Sequence, residues 1–142
     1  MDKYDVLKLE NQLCFLLYAS SREVIKKYHE PLKEIDLTYT QYITMMVLWT
    51  KQKINVKNLG ELLFLDSGTL TPVLKGLERK KYITRTRNKE DERSVVVELT
   101  REGEQLKEKA VKIPSLITDC ISLEQEDAIN LYNILSKLLK NL

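Results

Sequence analysis

The chain has 142 residues, enough for one compact domain or one subunit of an oligomer with a buried core. With 31% charged and 43% hydrophobic residues it has the composition of an ordinary globular protein, and no apolar run nears the roughly 20 residues of a membrane helix. A formal net charge of +2 decides little, but residues 51–101 hold 12 Lys and Arg against 7 Asp and Glu, a basic middle between acidic flanks that suits a surface meeting phosphate.

No apolar leader follows a basic start, so the expected location is the cytoplasm. Two cysteines far apart in sequence and one histidine rule out a tetrahedral zinc site within one subunit, and in a reducing compartment the cysteines are not a structural staple. No metal and no cofactor are implied.

From about Asp5 to Tyr28 the pattern predicts a long helix with apolar positions Leu9, Leu13, Leu16, Leu17, Val24 and Ile25, and Cys14 beside that stripe. Pro31 ends or bends it. Thr38 and Gln41 have capping-box spacing and open a second helix, whose Tyr42, Ile43, Met46, Val47 and Trp49 make it apolar nearly all round. Asn55 can cap a short helix carrying Val56, Leu59, Leu62 and Leu63, with Lys57 and Asn58 outside.

Leu70, Val73, Leu74 and Leu77 then recur at i, i+3, i+4 and i+7, turning Thr69, Thr71, Lys75 and Arg79 outward. Asp66 and Ser67 are both good N-caps. Pro72 is tolerated only in a first turn; a cap at Ser67 puts it one place too deep and a cap at Thr69 puts it at the third helical position, so the start is open by a few residues. After Ile83 the period becomes two: Thr84 and Thr86, then Val95, Val97 and Leu99, alternate with Arg85, Arg87 and Glu98 around a polar run from Asn88 to Ser94. Helix, turn, helix, strand, basic loop, strand is the order of a winged helix-turn-helix, with a recognition helix for the major groove and a wing charged by Arg85, Arg87, Lys89 and Arg93. A solvated hairpin tip explains the wing charge about as well when taken alone.

Beyond the wing, Thr100 can cap a charged helix running to a kink at Pro114, and Ser122 with Gln125 forms another capping box before a last helix rich in Leu and Ile. The expected fold is mainly α with a small β-hairpin wing, a single domain over 1–142. Helices at 5–35 and 101–142 intertwine two copies around a DNA-binding lobe at 38–100. Two recognition helices on a two-fold axis then read half-sites about 34 Å apart in a pseudo-palindromic duplex.

Three stretches carry a resemblance that covers nearly the whole chain: LENQLCFLLYASSREV at Leu9 to Val24, LGELLFLDSGTLTPVLKGLERK at Leu59 to Lys80, and KEDERSVVVELT at Lys89 to Thr100. They resemble the MarR family of winged-helix regulators, more narrowly its organic-hydroperoxide-sensing, OhrR-like branch. The resemblance implies that Cys14 is the peroxide-reactive cysteine and that Tyr28 and Tyr39 hydrogen-bond its sulfur across a dimer interface. Asp91 would position Arg93 in the minor groove. Cys120 lies where a subset of that branch has a resolving cysteine in the partner subunit. Ser67, Thr69, Thr71, Pro72, Lys75, Arg79, Arg85 and Arg87 complete the DNA-contacting set.

The resemblance thus implies a repressor homodimer, not an enzyme, holding double-stranded operator DNA until an organic hydroperoxide oxidises Cys14 to sulfenic acid. Apart from the resemblance, a cysteine on an apolar stripe is more often inert packing, and Cys120 with Ile117 and Ile121 fits plain dimer packing equally well. A MarR-type regulator released by a small aromatic ligand is the alternative. A thiol peroxidase is disfavoured by the lack of a CxxC, and a winged helix used only for protein contacts by the polar, basic outer face at Thr69, Thr71 and Lys75.

Overall fold

The structure is a computed structural model describing residues 1–87, 89–91 and 94–142. Two single 3-10 turns, Asp5–Leu7 and Leu9–Asn11, precede helix α1 at Leu13–Lys27, followed by α2 at His29–Lys33 and α3 at Tyr39–Lys51. Strand β1 at Lys53–Asn55 leads into α4 at Val56–Leu63 and α5 at Ser67–Arg79. Strands β2 at Ile83–Arg87 and β3 at Val95–Leu99 form the wing, and α6 at Arg101–Ala110, α7 at Ile113–Cys120 and α8 at Gln125–Lys140 close the chain.

Side-chain caps set the starts of α3, α4, α5 and α6. Thr38 and Gln41 make the predicted capping box of α3 in both directions, and Asn55 and Thr100 accept from the backbone of Asn58 and Gly103. The box predicted at Ser122 and Gln125 does not form, since α8 starts at Gln125 itself, which leaves Glu124 at the cap and no side-chain bond there. The first helix starts at Leu13 instead of Asp5. Gln12 holds the chain in tight turns before it, its amide donating to the carbonyls of Val6 and Lys8. Pro114 sits at the start of α7, where a missing N–H costs nothing, so the chain breaks between α6 and α7 instead of kinking within one helix.

Helix α5 starts earlier than the first-turn rule for proline favours. Asp66 is the cap, accepting from Thr69 N at 2.7 Å, and Pro72 falls inside the helix. Leu70, Val73, Leu74 and Leu77 are all buried. At about 1.5–3 kcal/mol for each buried side chain, the four outweigh the roughly 3 kcal/mol of an interior proline. Tertiary packing wins, and the ring stays on the outer face.

The tight turn from α4 to α5 runs through Phe64, in the left-handed backbone region at φ 55°. Leu65 donates back to the Gly60 carbonyl at 3.0 Å, and a Cβ on Gly60 would stand 2.8 Å from the Leu65 carbonyl oxygen, so this crossing needs glycine.

The sheet is three-stranded and antiparallel in the order β1-β3-β2. The pattern revealed only the hairpin, because β1 has three residues and its pairing with β3 is non-local. The register puts Arg85 opposite Val97 and Thr84 opposite Glu98. Val97 is fully buried, so the arginines share the inner face with the core valine and the threonines face out.

The core runs from Leu32, Ile35 and Leu37 through Tyr42, Met45 and Leu48 to Leu59, the buried row of α5, Ile83, Val97, Leu106 and Ile113. Trp49 fixes α6 to α3 by donating its indole N–H to the Gly103 carbonyl at 2.9 Å. A Cβ on Gly103 would collide with the Tyr82 carbonyl and the Leu99 side chain. Gly103→Ala should therefore destabilise the fold by about 1–3 kcal/mol, read as a lowered denaturant midpoint; an unchanged midpoint would show that α6 can shift freely.

Helices α1 and α8 are different in kind. Leu13, Leu16, Tyr18, Ile129, Tyr132, Ile134 and Leu139 are all exposed in a single chain, with Leu13 at 71% and Tyr132 at 72%. An apolar surface of this extent is an association surface.

Candidate sensing site and nucleic-acid interface

Starting α1 at Leu13 places Cys14 as the second residue of the helix, in the first turn, with its side chain exposed. First-turn N–H groups have no intrahelical acceptor, and the positive end of the helix dipole lies there. The sulfur that attacks a peroxide is negative before it reacts, and at this position it stands at the positive end of a helix, a feature the sequence did not reveal because no cation lies nearby in the chain.

Tyr28 and Tyr39 come together at the other end of α1. Tyr28 is the residue that ends α1 and Tyr39 is the first residue of α3. Their rings meet edge to face at 4.9 Å between centroids, and Tyr42 lies 5.9 Å from Tyr28. Burial raises the ionisation range of all three phenols, reinforced at Tyr28 and Tyr42 by the tyrosines beside them. They are hydrogen-bond donors at neutral pH.

The same shift makes a prediction. A phenol whose folded value lies above its unfolded one stabilises the fold fully below the unfolded value, near pH 10, and loses that contribution as pH rises through the folded value. The denaturant midpoint should hold level through pH 9 and fall above about pH 10. Replacing all three with phenylalanine should flatten that fall; if it does not, other groups govern alkaline stability.

Cys14 and Tyr28 are separated by the length of α1, on the order of 20 Å at 1.5 Å per residue. Within one chain the sulfur and the paired phenols cannot meet. Cys120 is the last residue of α7 and exposed. A groove of about 620 Å³ opens beside the tyrosine pair, lined by Ile25, His29, Lys33, Tyr28, Tyr39 and Lys80.

Ser67, Thr69, Pro72, Lys75 and Arg79 are exposed along α5, with Pro72, Lys75 and Arg79 at i, i+3 and i+7 on one outward row. Thr71 is half-buried and its hydroxyl donates to the Ser67 carbonyl at 2.7 Å, so its proton is used inside the helix. Asp66 is held below the ordinary carboxylate range by the Thr69 backbone N–H.

Arg85 is not a free wing cation. Its guanidinium grips Glu78 of α5 through two bonds of 3.2 and 3.3 Å and holds that carboxyl below its usual range. It fixes the wing to the recognition helix, a role sequence reasoning missed because Glu78 and Arg85 belong to elements whose approach is set by the fold. Arg87, Lys89 and Asp91 are exposed on the wing. Arg93, and with it the predicted Asp91–Arg93 pairing, lies outside the described residues.

Comparison with known proteins fits this layout. The family model for the transcriptional regulators SarA and Rot matches residues 26–110. An organic hydroperoxide resistance transcriptional regulator of Bacillus subtilis is 51% identical over 141 residues, covering 99% of this chain and 96% of the relative.

This chain belongs to the MarR-type winged-helix transcriptional regulators. Among solved structures in this family, overoxidized AbfR bound to DNA superposes with a TM-score of 0.78 at 32% identity, covering 99% of this chain and 98% of the other. Disulfide-formed AbfR gives a TM-score of 0.68 at 32% identity over 98% and 95% of the two chains. AbfR of Staphylococcus epidermidis superposes with a TM-score of 0.74 at 33% identity over 98% and 96% of the two chains. Among the described residues no helix is long and apolar enough to cross a membrane.

Proposed function

We propose that this regulator is a cytoplasmic repressor, a homodimer that holds pseudo-palindromic operator DNA when reduced and releases it when an organic hydroperoxide oxidises Cys14. The observation that carries the reading is the separation of Cys14 from the tyrosine pair along α1. An antiparallel meeting of two α1 helices, supported by their exposed apolar faces, brings Cys14 of one subunit to the phenols of the other. The similarity to a hydroperoxide resistance regulator and to redox forms of AbfR supports the same chemistry.

In the proposed step the Cys14 thiolate attacks the terminal peroxide oxygen, the O–O bond breaks, and the leaving alkoxide takes a proton to become an alcohol. Sulfur is oxidised by two electrons to sulfenic acid, and Tyr28 and Tyr39 donate to the reacting oxygens. A thiol, either Cys120 of the partner subunit or a small cellular thiol, then condenses with the sulfenic acid, forming a disulfide and releasing water. The new link or adduct does not fit a close-packed seam, so the subunits rotate and the recognition helices lose their spacing.

The direct test uses a duplex that the wild-type dimer selects from a random library. Cumene hydroperoxide should weaken binding and a thiol reductant should restore it; binding indifferent to the oxidant sinks the reading. The groove of about 620 Å³ beside Tyr28, Tyr39 and Lys80 favours a second reading, release by a small aromatic ligand. In that case such a ligand would release DNA from a protein lacking Cys14.

A further inference from the structure

The sensing site and the DNA-reading helix are joined by one polar contact that no part of the chemistry above uses. Thr38 and Gln41 frame the first turn of α3, the turn that begins with Tyr39, and Gln41 is buried. The Gln41 side chain accepts from Thr38 N at 3.1 Å and from the Lys80 ammonium at 3.0 Å. Lys80 is the residue that ends recognition helix α5. Its ammonium also donates to the backbone carbonyl of Asp36 and lies 3.7 Å from the Asp36 carboxylate.

Asp36 is the joint between the α1–α2 segment and the DNA-binding lobe. It takes the left-handed backbone at φ 54°, between buried Ile35 and Leu37. A non-glycine residue holds that conformation only where its surroundings fix it. One turn up α5, Gly76 lets the Gln41 amide approach so closely that a Cβ there would stand 2.6 Å from its nitrogen.

We propose that Gln41 and Lys80 are positioning residues that transmit the state of the Tyr28–Tyr39 pair to α5, with the Asp36 joint as the moving part. The proposal rests on the redox reading above and names its path. When the sulfur changes partner across the seam, Tyr39 shifts with the first turn of α3. Gln41 lies in that turn, and Lys80 ties it and the Asp36 carbonyl to the end of α5, so the recognition helix turns with the joint. A part-buried polar contact with two anchor points can exchange between discrete arrangements, as a two-state element requires.

The test measures three things on wild type, Lys80→Met, Lys80→Arg and Gly76→Ala: affinity of reduced protein for the selected duplex, the rate of Cys14 oxidation by mass spectrometry, and the factor by which cumene hydroperoxide weakens binding. Lys80→Met should oxidise at the wild-type rate and bind normally when reduced, yet its release factor should be smaller by about 2- to 30-fold. Lys80→Arg, which keeps a donor, should restore it. Gly76→Ala displaces only the far end of a flexible side chain and should weaken release likewise. Wild-type release by both Lys80→Met and Gly76→Ala overturns the proposal, and if Lys80→Met binds or folds poorly, Gly76→Ala alone decides. Failure of wild type itself to release would instead overturn the redox reading.

Discussion

Replacing Cys14 by serine is expected to leave reduced-state DNA binding intact and to remove the response to an organic hydroperoxide. An allosteric coupling of this kind is typically 5- to 150-fold in affinity, about 1–3 kcal/mol, so wild type should lose that factor on oxidation and the variant almost none of it. Serine keeps the shape of the first turn of α1 but cannot form a sulfenic acid, so the comparison isolates the sulfur. Cys120→Ser separates the two fates of the oxidised residue. If the partner's Cys120 resolves it, the intersubunit band on a non-reducing gel disappears in that variant; if a small thiol does, the variant keeps the response and mass spectrometry finds the adduct. A Cys14→Ser protein that still leaves DNA when oxidised would transfer the sensing role elsewhere and favour the aromatic-ligand reading.

The second large effect concerns assembly. Leu135 and Leu138 lie on α8, both partly exposed in a single chain, next to more exposed Ile134 and Leu139. Changing both to aspartate places two charges in the surface proposed to join the subunits, where burying an unpaired charge is costly. The lobe keeps its own core, centred on Leu48, Leu59, Leu74, Leu77 and Val97, so it should remain folded. What it should lose is simultaneous engagement of two half-sites, and with that about 10²- to 10⁴-fold in affinity for a paired-site duplex. Sedimentation and a DNA titration on the same sample check this. A monomer that binds the paired site as tightly as wild type would remove the geometric basis of release, because spacing between recognition helices would not matter.

Much of the DNA-binding lobe was legible because its signals are local. The buried row of α5 follows from a period of 3.6, and the caps at Thr38, Asn55 and Thr100 follow from side chains that reach backbone three residues on. Pro72 lies inside α5 because the burial of Leu70, Val73, Leu74 and Leu77 overrides the local rule for proline, and Ser122 caps nothing because capping-box spacing is necessary for the contact and not sufficient. Strand β1 was invisible, since three residues gain strand character only from β3 lying alongside.

For the proposed sensing site, Cys14, Tyr28, Tyr39 and Cys120 stood out by resemblance and not by pattern, and the wing arginines stood out by charge. Sequence by itself determined the order of the DNA-binding helices and the hairpin, the faces of α5 and the basic middle, because periodicity and capping act between residues a few positions apart. Only the tertiary structure placed Cys14 in a helix's first turn, set the phenols about a helix length away, turned Arg85 inward onto Glu78 and tied Lys80 to Gln41 and Asp36. Those outcomes depend on where whole helices come to rest, which is fixed by the burial of apolar surface summed over the chain.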